Sequence, residues 1–256
     1  MKTAELYSTR ELSAWLYEPA TLRDASRLFV CVHGISRNAR EQQEAFRATA
    51  DELGVRLLAP EFSHDRFPGY QRLDTGLGLT RADLAFNRML MSLGSDLQVP
   101  GWALDMFGYS GGAQFCHRYA LCYPARTRSL VLTGAGWYTF PDRAVKYPRG
   151  LANWPSVLPG PAAAEAMTRI PTLVLVGDRD TLRDASLRKG ERIDKQQGRN
   201  RLVRAHKWVE CWRQLGHAAR LELAELQGGE HDFALCAEQT DMLQRVSRFL
   251  ARPEGH

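Results

Sequence analysis

Residues 108–112 read Gly-Tyr-Ser-Gly-Gly, set between the mostly apolar run Trp102–Phe107 and a stretch, Ala113–Cys122, that reads as a helix. The first run has the length of a buried strand, and the second is long enough for a helix. Passing from one to the other through so tight a turn forces Ser110 into a strained backbone conformation. It leaves room only for small residues two places before and two places after the serine. Gly108 and Gly112 occupy those places. Ser110 is therefore expected at the carboxyl end of a strand, beside the amino end of a helix.

The rest of the chain alternates in the same way. Arg27–Val32, Val55–Ala59, Ser129–Thr133 and Ile170–Val176 are short apolar or β-branched runs, bounded by Gly, Pro or loop residues. Leu12–Tyr17 is expected to be an early edge strand, and Ala219–Ala224 alternates as a late one. Ala39–Leu53 carries apolar residues at helical spacing and ends at Gly54, a helix C-cap signal. Thr80 is expected to cap a helix running to about Leu93, with Asp83 as an acidic variant of the capping box. Further helices are expected at about Leu202–Leu215 and Ala237–Ala251. Strands alternating with helices predict an α/β chain with a mostly parallel central sheet covered by helices on both faces. Residues 137–168, rich in Pro, Gly, Ala and Trp, carry no strand and read as a short lid-like insertion. Residues 181–207 form a basic excursion. No repeat or linker divides the chain, so residues 1–256 are expected to be a single domain.

Composition narrows the class. No apolar stretch reaches the roughly 18 residues that span a bilayer. No apolar core follows Lys2, so neither a membrane partner nor export is expected. Five scattered cysteines without a C-x-x-C pattern fit reduced thiols in a cytoplasmic protein. The histidines and cysteines lack paired metal-ligand spacing, so no metal is expected. Gly76-x-Gly78 lacks the third glycine and preceding strand of a dinucleotide fingerprint, and no cofactor is expected. The net charge of +5 is concentrated between Arg183 and Lys207, where nine Lys or Arg face three acids. Such a patch attracts nucleic acid or anions. Without aromatic interleaving beyond Trp208 it reads instead as a solvated helix or loop face, and nucleic acid is not the expected partner.

A serine hydroxyl near neutral pH needs a base to become a nucleophile, and the base needs an orienting acid. In a parallel sheet these partners belong in loops beyond the carboxyl ends of later strands. Gly177-Asp-Arg-Asp180 follows one such strand and offers Asp178 and Asp180, each also suited to cap the next helix. Gly228-Gly-Glu-His-Asp-Phe233 follows the last strand and offers His231. His117 lies about two turns along the helix from Ser110, His206 on a surface helix, and His64 after a strand end, so His231 is the candidate base. Acyl transfer also needs N–H donors for the developing oxyanion. Gly111 supplies one, and the loop Val32-His-Gly-Ile35 supplies the other through the amide of Ile35. Gly34 lets that loop approach closely, and His33 is expected to order it by hydrogen bonding.

Taken together, His33-Gly34, Gly108-Tyr-Ser-Gly-Gly112, Gly177-x-x-Asp180 and Gly229-x-His231 resemble the α/β-hydrolase superfamily, over about residues 12–251. The resemblance implies a single-domain α/β-hydrolase fold and favours Asp180 over Asp178 as the acid. It implies a cofactor-free serine hydrolase with Ser110 as nucleophile and His231 as base, acting on a small-molecule acyl ester through an acyl-enzyme. Thioesterase, amidase or peptidase activity would use the same residues. A ligand-binding or interaction protein on the same scaffold is the alternative from another class. The loop His33-Gly-Ile-Ser-Arg-Asn38 and the segment Gln197-Gly-Arg-Asn-Arg-Leu202 are similar to poly(3-hydroxyalkanoate) depolymerase-like and feruloyl-esterase-like hydrolases. In the insertion, Trp137, Tyr138, Phe140 and Trp154 either form an apolar acyl pocket or simply pack the insertion. Gly34, Tyr109 and Trp137 are the candidate substrate-binding positions.

Overall fold

Successive side chains of a strand point to opposite faces, so a sheet covered on both sides needs apolar residues at nearly every position. The computed structural model describes residues 5–73 and 80–253, the His217 side chain excepted, so Gly76, Gly78 and His256 lie outside the described residues. Among them are eight strands: β1 (Glu5–Ser8), β2 (Ser13–Tyr17), β3 (Arg27–Val32), β4 (Arg56–Glu61), β5 (Ala103–Tyr109), β6 (Thr127–Thr133), β7 (Thr172–Gly177) and β8 (Leu221–Leu226). They form one sheet in the order β1-β2-β4-β3-β5-β6-β7-β8. All neighbours from β4 to β8 are parallel, while β2 runs antiparallel to both β1 and β4.

The helices are α1 (Ala39–Ala45), α2 (Arg47–Leu53), α3 (Ala82–Asp96), α4 (Gly111–Cys122), α5 (Ala164–Met167), α6 (Glu191–Gln197), α7 (Arg201–Trp212), α8 (Phe233–Gln239) and α9 (Met242–Leu250). They cover both faces. Val30, Met106, Leu132 and Val174 point to one side, into a core with Phe86 of α3, Phe115 of α4 and Trp208 of α7. Their strand neighbours Phe29, Phe107, Val131 and Leu175 point to the other, toward Ala50 of α2, Phe233 of α8 and Val246 of α9.

Several elements depart from the sequence expectations. The strand at Ser13–Tyr17 is interior; the edge is β1, a short and largely exposed strand with no apolar face to betray it. β4 continues through Pro60, which pairs with Ala14 of β2 at a level where β3 has already left the register. The helix expected over Ala39–Leu53 is broken at Phe46, whose buried ring lies 4.6 Å from that of Phe107 and 5.4 Å from that of Phe29. Gly54 does end α2, in the left-handed conformation at φ 65°. Thr80 does not cap α3: the helix starts at Ala82 behind Arg81, with no side-chain cap. Asp83 is taken by the Arg81 guanidinium, at 2.7 and 3.0 Å, and by the Tyr123 hydroxyl at 2.7 Å. The terminal helix is split into α8 and α9, with Asp232 capping α8 through the Leu235 amide at 2.9 Å.

The insertion is pinned to the body. Gln197 receives the Tyr138 amide and donates to the Tyr138 carbonyl, both at 2.9 Å. Trp208 stacks on Tyr138 and donates to the Thr139 carbonyl at 2.9 Å. Tyr138 and Phe140 are buried, and Trp154 packs edge-on against Tyr147. The basic excursion is not simply a solvated face either. Arg183 and Arg204 share Asp194, and Arg201 and Arg204 are fully buried, because α6 and α7 lie against the insertion and the loop after β7.

The crossing of β3 and α4 allows no side chain at Gly112: an added Cβ would fall 1.8 Å from the Val32 carbonyl oxygen. Nothing lies within 4 Å of such an atom at Gly101. Gly112→Ala is expected to lose more than about 3 kcal/mol of stability, and Gly101→Ala less than about 0.5 kcal/mol. Thermal and urea unfolding of the two variants check this, and equal effects would contradict it.

Candidate active site

β5 ends at Tyr109 and α4 begins at Gly111, so Ser110 is the turn. Its backbone sits at φ 53°, ψ −110°, a conformation that a side-chain-bearing residue holds only when its surroundings impose it. The Ser110 amide donates to the Thr133 carbonyl at 2.8 Å. An added Cβ at Gly108 would meet the Gly112 carbonyl carbon at 2.4 Å, so the turn admits no side chain there. Ser110 is 7% exposed at the carboxyl edge of the sheet.

Two later strands deliver loops to the same edge. His231, after β8, places Nε2 3.0 Å from Ser110 Oγ and Nδ1 2.8 Å from Asp180 Oδ2, after β7. With the Nδ1 proton donated to Asp180, Nε2 is left to accept the Ser110 hydroxyl. Beneath the imidazole, Tyr109 stacks at 5.4 Å between ring centroids. Gly134, at φ 57° after β6, also packs close to the ring: a Cβ there would lie 3.3 Å from His231 Nδ1 and 3.5 Å from Asp180 Oδ2. Asp178 does not reach His231. Its amide donates to the Leu226 carbonyl at 3.1 Å, tying the ends of β7 and β8 together.

The loop after β3 closes the opposite side. A Cβ on Gly34 would stand 3.3 Å from Ser110 Cβ, and one on Gly111 would stand 3.3 Å from Ile35 Cγ2. Gly34, Ile35 and Gly111 are thus brought together beside Ser110. His33 orders this loop. Its Nε2 accepts the Phe62 amide at 3.0 Å, so Nδ1 carries the proton and donates to the Gly34 carbonyl at 2.7 Å. The Tyr70 hydroxyl donates to the His33 carbonyl at 2.7 Å. Burial pushes the His33 imidazole down to about 4, so it is neutral near pH 7. His117 repeats the device inside α4: Nε2 accepts the Thr139 amide at 3.0 Å and Nδ1 donates to the Ala113 carbonyl at 2.8 Å. Burial, helped by the neighbouring Arg118 charge, holds it well below the usual histidine range.

The cleft over Ser110 measures about 260 Å³ and is lined by Gly34, Ile35, Tyr109 and Phe233, with Glu41 and Asp232 as its carboxylates. Larger hollows of about 400 and 1140 Å³ lie elsewhere and touch none of Ser110, Asp180 and His231. Trp137 is not on the cleft. It is 5% exposed, clamped between the guanidinium groups of Arg118 and Arg188 at 4.4 and 5.1 Å, so the substrate-binding expectation for it fails on packing. His64 is exposed and away from the cleft, and His206 bonds Glu225 at the surface. The residue that sequence reasoning missed is Arg201, fully buried with Nη1 3.2 Å from Asp180 Oδ1. Only its place in the Gln197–Leu202 segment singled it out, and one-dimensional charge counting cannot say which of nine cations turns inward. Among the described residues no group of three or more His, Cys, Asp or Glu could hold a metal ion. None of their helices is long and apolar enough to cross a membrane.

A mostly parallel eight-stranded sheet with helices on both faces, and a strained serine on the turn after β5, is the architecture of an α/β-hydrolase, and this chain is an α/β-hydrolase by fold. Its structure is similar to that of poly(aspartic acid) hydrolase-1 from Sphingomonas sp. KT-1. The two share 25% sequence identity over 96% of this chain and 97% of that one, with a TM-score of 0.75. A poly(3-hydroxybutyrate) depolymerase from Bordetella parapertussis is similar at 21% identity, over 92% and 88% of the two chains, with a TM-score of 0.72. An S-formylglutathione hydrolase from Agrobacterium tumefaciens is similar at 13% identity, over 97% and 94%, with a TM-score of 0.62. These last two likenesses are of fold. No protein-family model matches the sequence, and no curated protein does.

The buried neutral histidines carry a pH signature. The folded His33 titrates near 4, and an unfolded histidine near 6.5. Between those values the unfolded chain takes up a proton that the folded chain refuses, so stability is full above about pH 6.5 and falls as the pH drops. His117 acts in the same direction. Urea unfolding between pH 7 and pH 5 is expected to show stability falling by up to about 1.4 kcal/mol per pH unit for each histidine. A flat profile would contradict the assignment.

Proposed function

We propose that this protein is a serine hydrolase that cleaves carboxylic esters through an acyl-enzyme. The observation that carries the reading is the continuous relay Ser110–His231–Asp180, with contacts of 3.0 and 2.8 Å. Ser110 Oγ attacks the ester carbonyl while His231 Nε2 takes its proton, and Asp180 stabilises the resulting imidazolium. The amides of Ile35 and Gly111 receive the oxyanion; removing one such donor costs roughly 10²–10³ in turnover in comparable sites. Collapse of the tetrahedral intermediate expels the alcohol, which leaves with the proton from His231. Water then enters, gives a proton to His231, attacks the acyl carbonyl and releases the acid. The five cysteines are unpaired, which supports a reducing, cytoplasmic setting for this chemistry.

A second reading is hydrolysis of an amide bond in an acidic polymer. It is favoured by the 25% identity to a poly(aspartic acid) hydrolase and by the net charge of +5. The cleft argues for the first reading. Among the described residues Glu41 and Asp232 line it and no Lys or Arg does, so an anionic chain would meet like charge beside Ser110.

Fluorophosphonate is expected to label the wild type and not Ser110→Ala; equal labelling of both would sink the nucleophile assignment. Short neutral p-nitrophenyl esters are expected to turn over at least about tenfold faster, as kcat/KM, than succinyl esters of the same alcohol. Preference for the succinyl esters, or release of aspartate oligomers from poly(aspartic acid), would favour the second reading.

A further inference from the structure

We propose that Arg201 is a positioning residue of this site. It clamps the carboxylate that orients His231, ties it to the wall of the cleft, and keeps the relay competent at lower pH than Asp180 alone would allow. The proposal rests on the Ser110–His231–Asp180 reading and adds a member to which the sequence analysis gave no role.

The geometry starts at the amino end of α7. Asn200 caps that helix by accepting the Val203 amide at 2.9 Å, which makes Arg201 its first residue. The Leu202 amide reaches the Asp180 carbonyl at 3.4 Å, so the end of the helix is held to the acid through the main chain as well. Asp180 divides its oxygens: Oδ2 accepts from His231 at 2.8 Å, and Oδ1 accepts from Arg201 Nη1 at 3.2 Å. A carboxylate held at both oxygens cannot rotate away from the imidazole. Arg201 is 0% exposed and Asp180 2%, and a charge pair so deep persists only where its other hydrogen bonds are also supplied.

The two terminal nitrogens of the same guanidinium supply most of them, while its Nε is buried without a partner among the described residues. Nη1 and Nη2 donate to the two oxygens of Asp184, at 3.1 and 3.2 Å, and Nη2 donates to Ser186 Oγ at 2.5 Å. Asp184 in turn accepts the Ser186 and Leu187 amides at 2.8 and 3.0 Å, closing a turn around itself. Partial burial pushes the Asp184 carboxyl up, but the bonds from Arg201 and Ser186 outweigh it and hold it well below the usual range. Ser186 lines the cleft. One planar group therefore joins the triad acid to the cleft wall, a fork that lysine cannot reproduce.

Charge gives the second consequence. The groups around His231 are Asp180 from the loop after β7, Tyr109 from β5, Asp232 at the start of α8 and Glu41 of α1 on the cleft, with Cys236 of α8 against Tyr109. Tyr138 of the insertion stands close enough to Asp180 to feel its charge. Burial raises Tyr109, Tyr138 and Cys236, which leaves them neutral. The anions are Asp180, Asp232 and Glu41 of α1, which lines the same cleft, and Arg201 is the fixed cation behind Asp180. A guanidinium does not deprotonate, so it opposes a positive imidazolium at every pH. Removing it takes away that opposition while leaving the neighbouring anions in place, which a pH profile of the rate can read.

The test is the pH dependence of kcat/KM for a neutral p-nitrophenyl ester in Arg201→Gln, Arg201→Lys and Asp184→Asn, each checked for folding by circular dichroism. Arg201→Gln is expected to lose about tenfold at pH 8.5, with its acid limb moved up by about one pH unit, so that the loss deepens roughly tenfold more near pH 6. Arg201→Lys keeps the charge without the fork; its acid limb is expected to stay at the wild-type position while kcat falls. Asp184→Asn removes an anion beside Arg201 and is expected to move the limb down, which keeps the proposal testable should Arg201→Gln not fold. Losses uniform in pH, with the limb unmoved in Arg201→Gln and Asp184→Asn, would overturn it. Failure of wild-type protein to react with fluorophosphonate at any pH would instead count against the triad reading itself.

Discussion

The close crossing of β3 and α4 is the constraint on which the site depends. Because Gly112 carries no side chain, α4 lies directly against the carbonyl end of β3, where a Cβ would fall 1.8 Å from the Val32 oxygen. That contact leaves no length for a loop between β5 and α4, so one residue makes the whole turn. Ser110 therefore stands at φ 53°, with its hydroxyl lifted from the sheet edge. The strain is local and its cause is geometric. Parallel pairing from β4 to β8 supplies the rest, since every parallel strand ends at the same edge. Residues 51 and 121 positions from His231 in the chain can then meet it there.

Two buried histidines hold the surrounding loops in place without taking part in the chemistry. His33 and His117 each accept one main-chain amide and donate to one main-chain carbonyl, which requires a neutral ring with its proton on Nδ1. A charged ring could not accept the amide, so burial and hydrogen bonding select the same form. The third buried device is ionic. Arg201, Asp180, Asp184 and Ser186 form a network that places the cleft wall and the carboxylate facing His231 under one guanidinium.

How much of this was legible in the sequence depended on whether the signal was local. Gly108 and Gly112 around Ser110 declare the turn because sterics between residues two places apart decide it. The loops carrying Asp180 and His231 were readable from glycines after apolar runs, and their order along the chain followed from the sheet. The choice between Asp178 and Asp180 was not local: one residue bonds the end of β8 and the other the imidazole. Trp137 was a candidate substrate-binding residue as an aromatic of the insertion, yet two arginines from distant segments pack on its ring and it is buried. β1 was invisible because an exposed edge strand needs no apolar pattern. Arg201 was hidden among nine cations in a basic stretch, since only the tertiary placement of Asp180 and Asp184 turns it inward.

The central claim is that Ser110 carries the acyl group. Acid quench of the protein in the first turnovers on a slow neutral ester, followed by proteolysis and mass spectrometry, tests it directly. The account predicts one acyl increment on the peptide that contains Ser110, accumulating before steady state and decaying as the acid is released. An increment on another residue, or steady turnover with no acylated Ser110 peptide at any time, would contradict it.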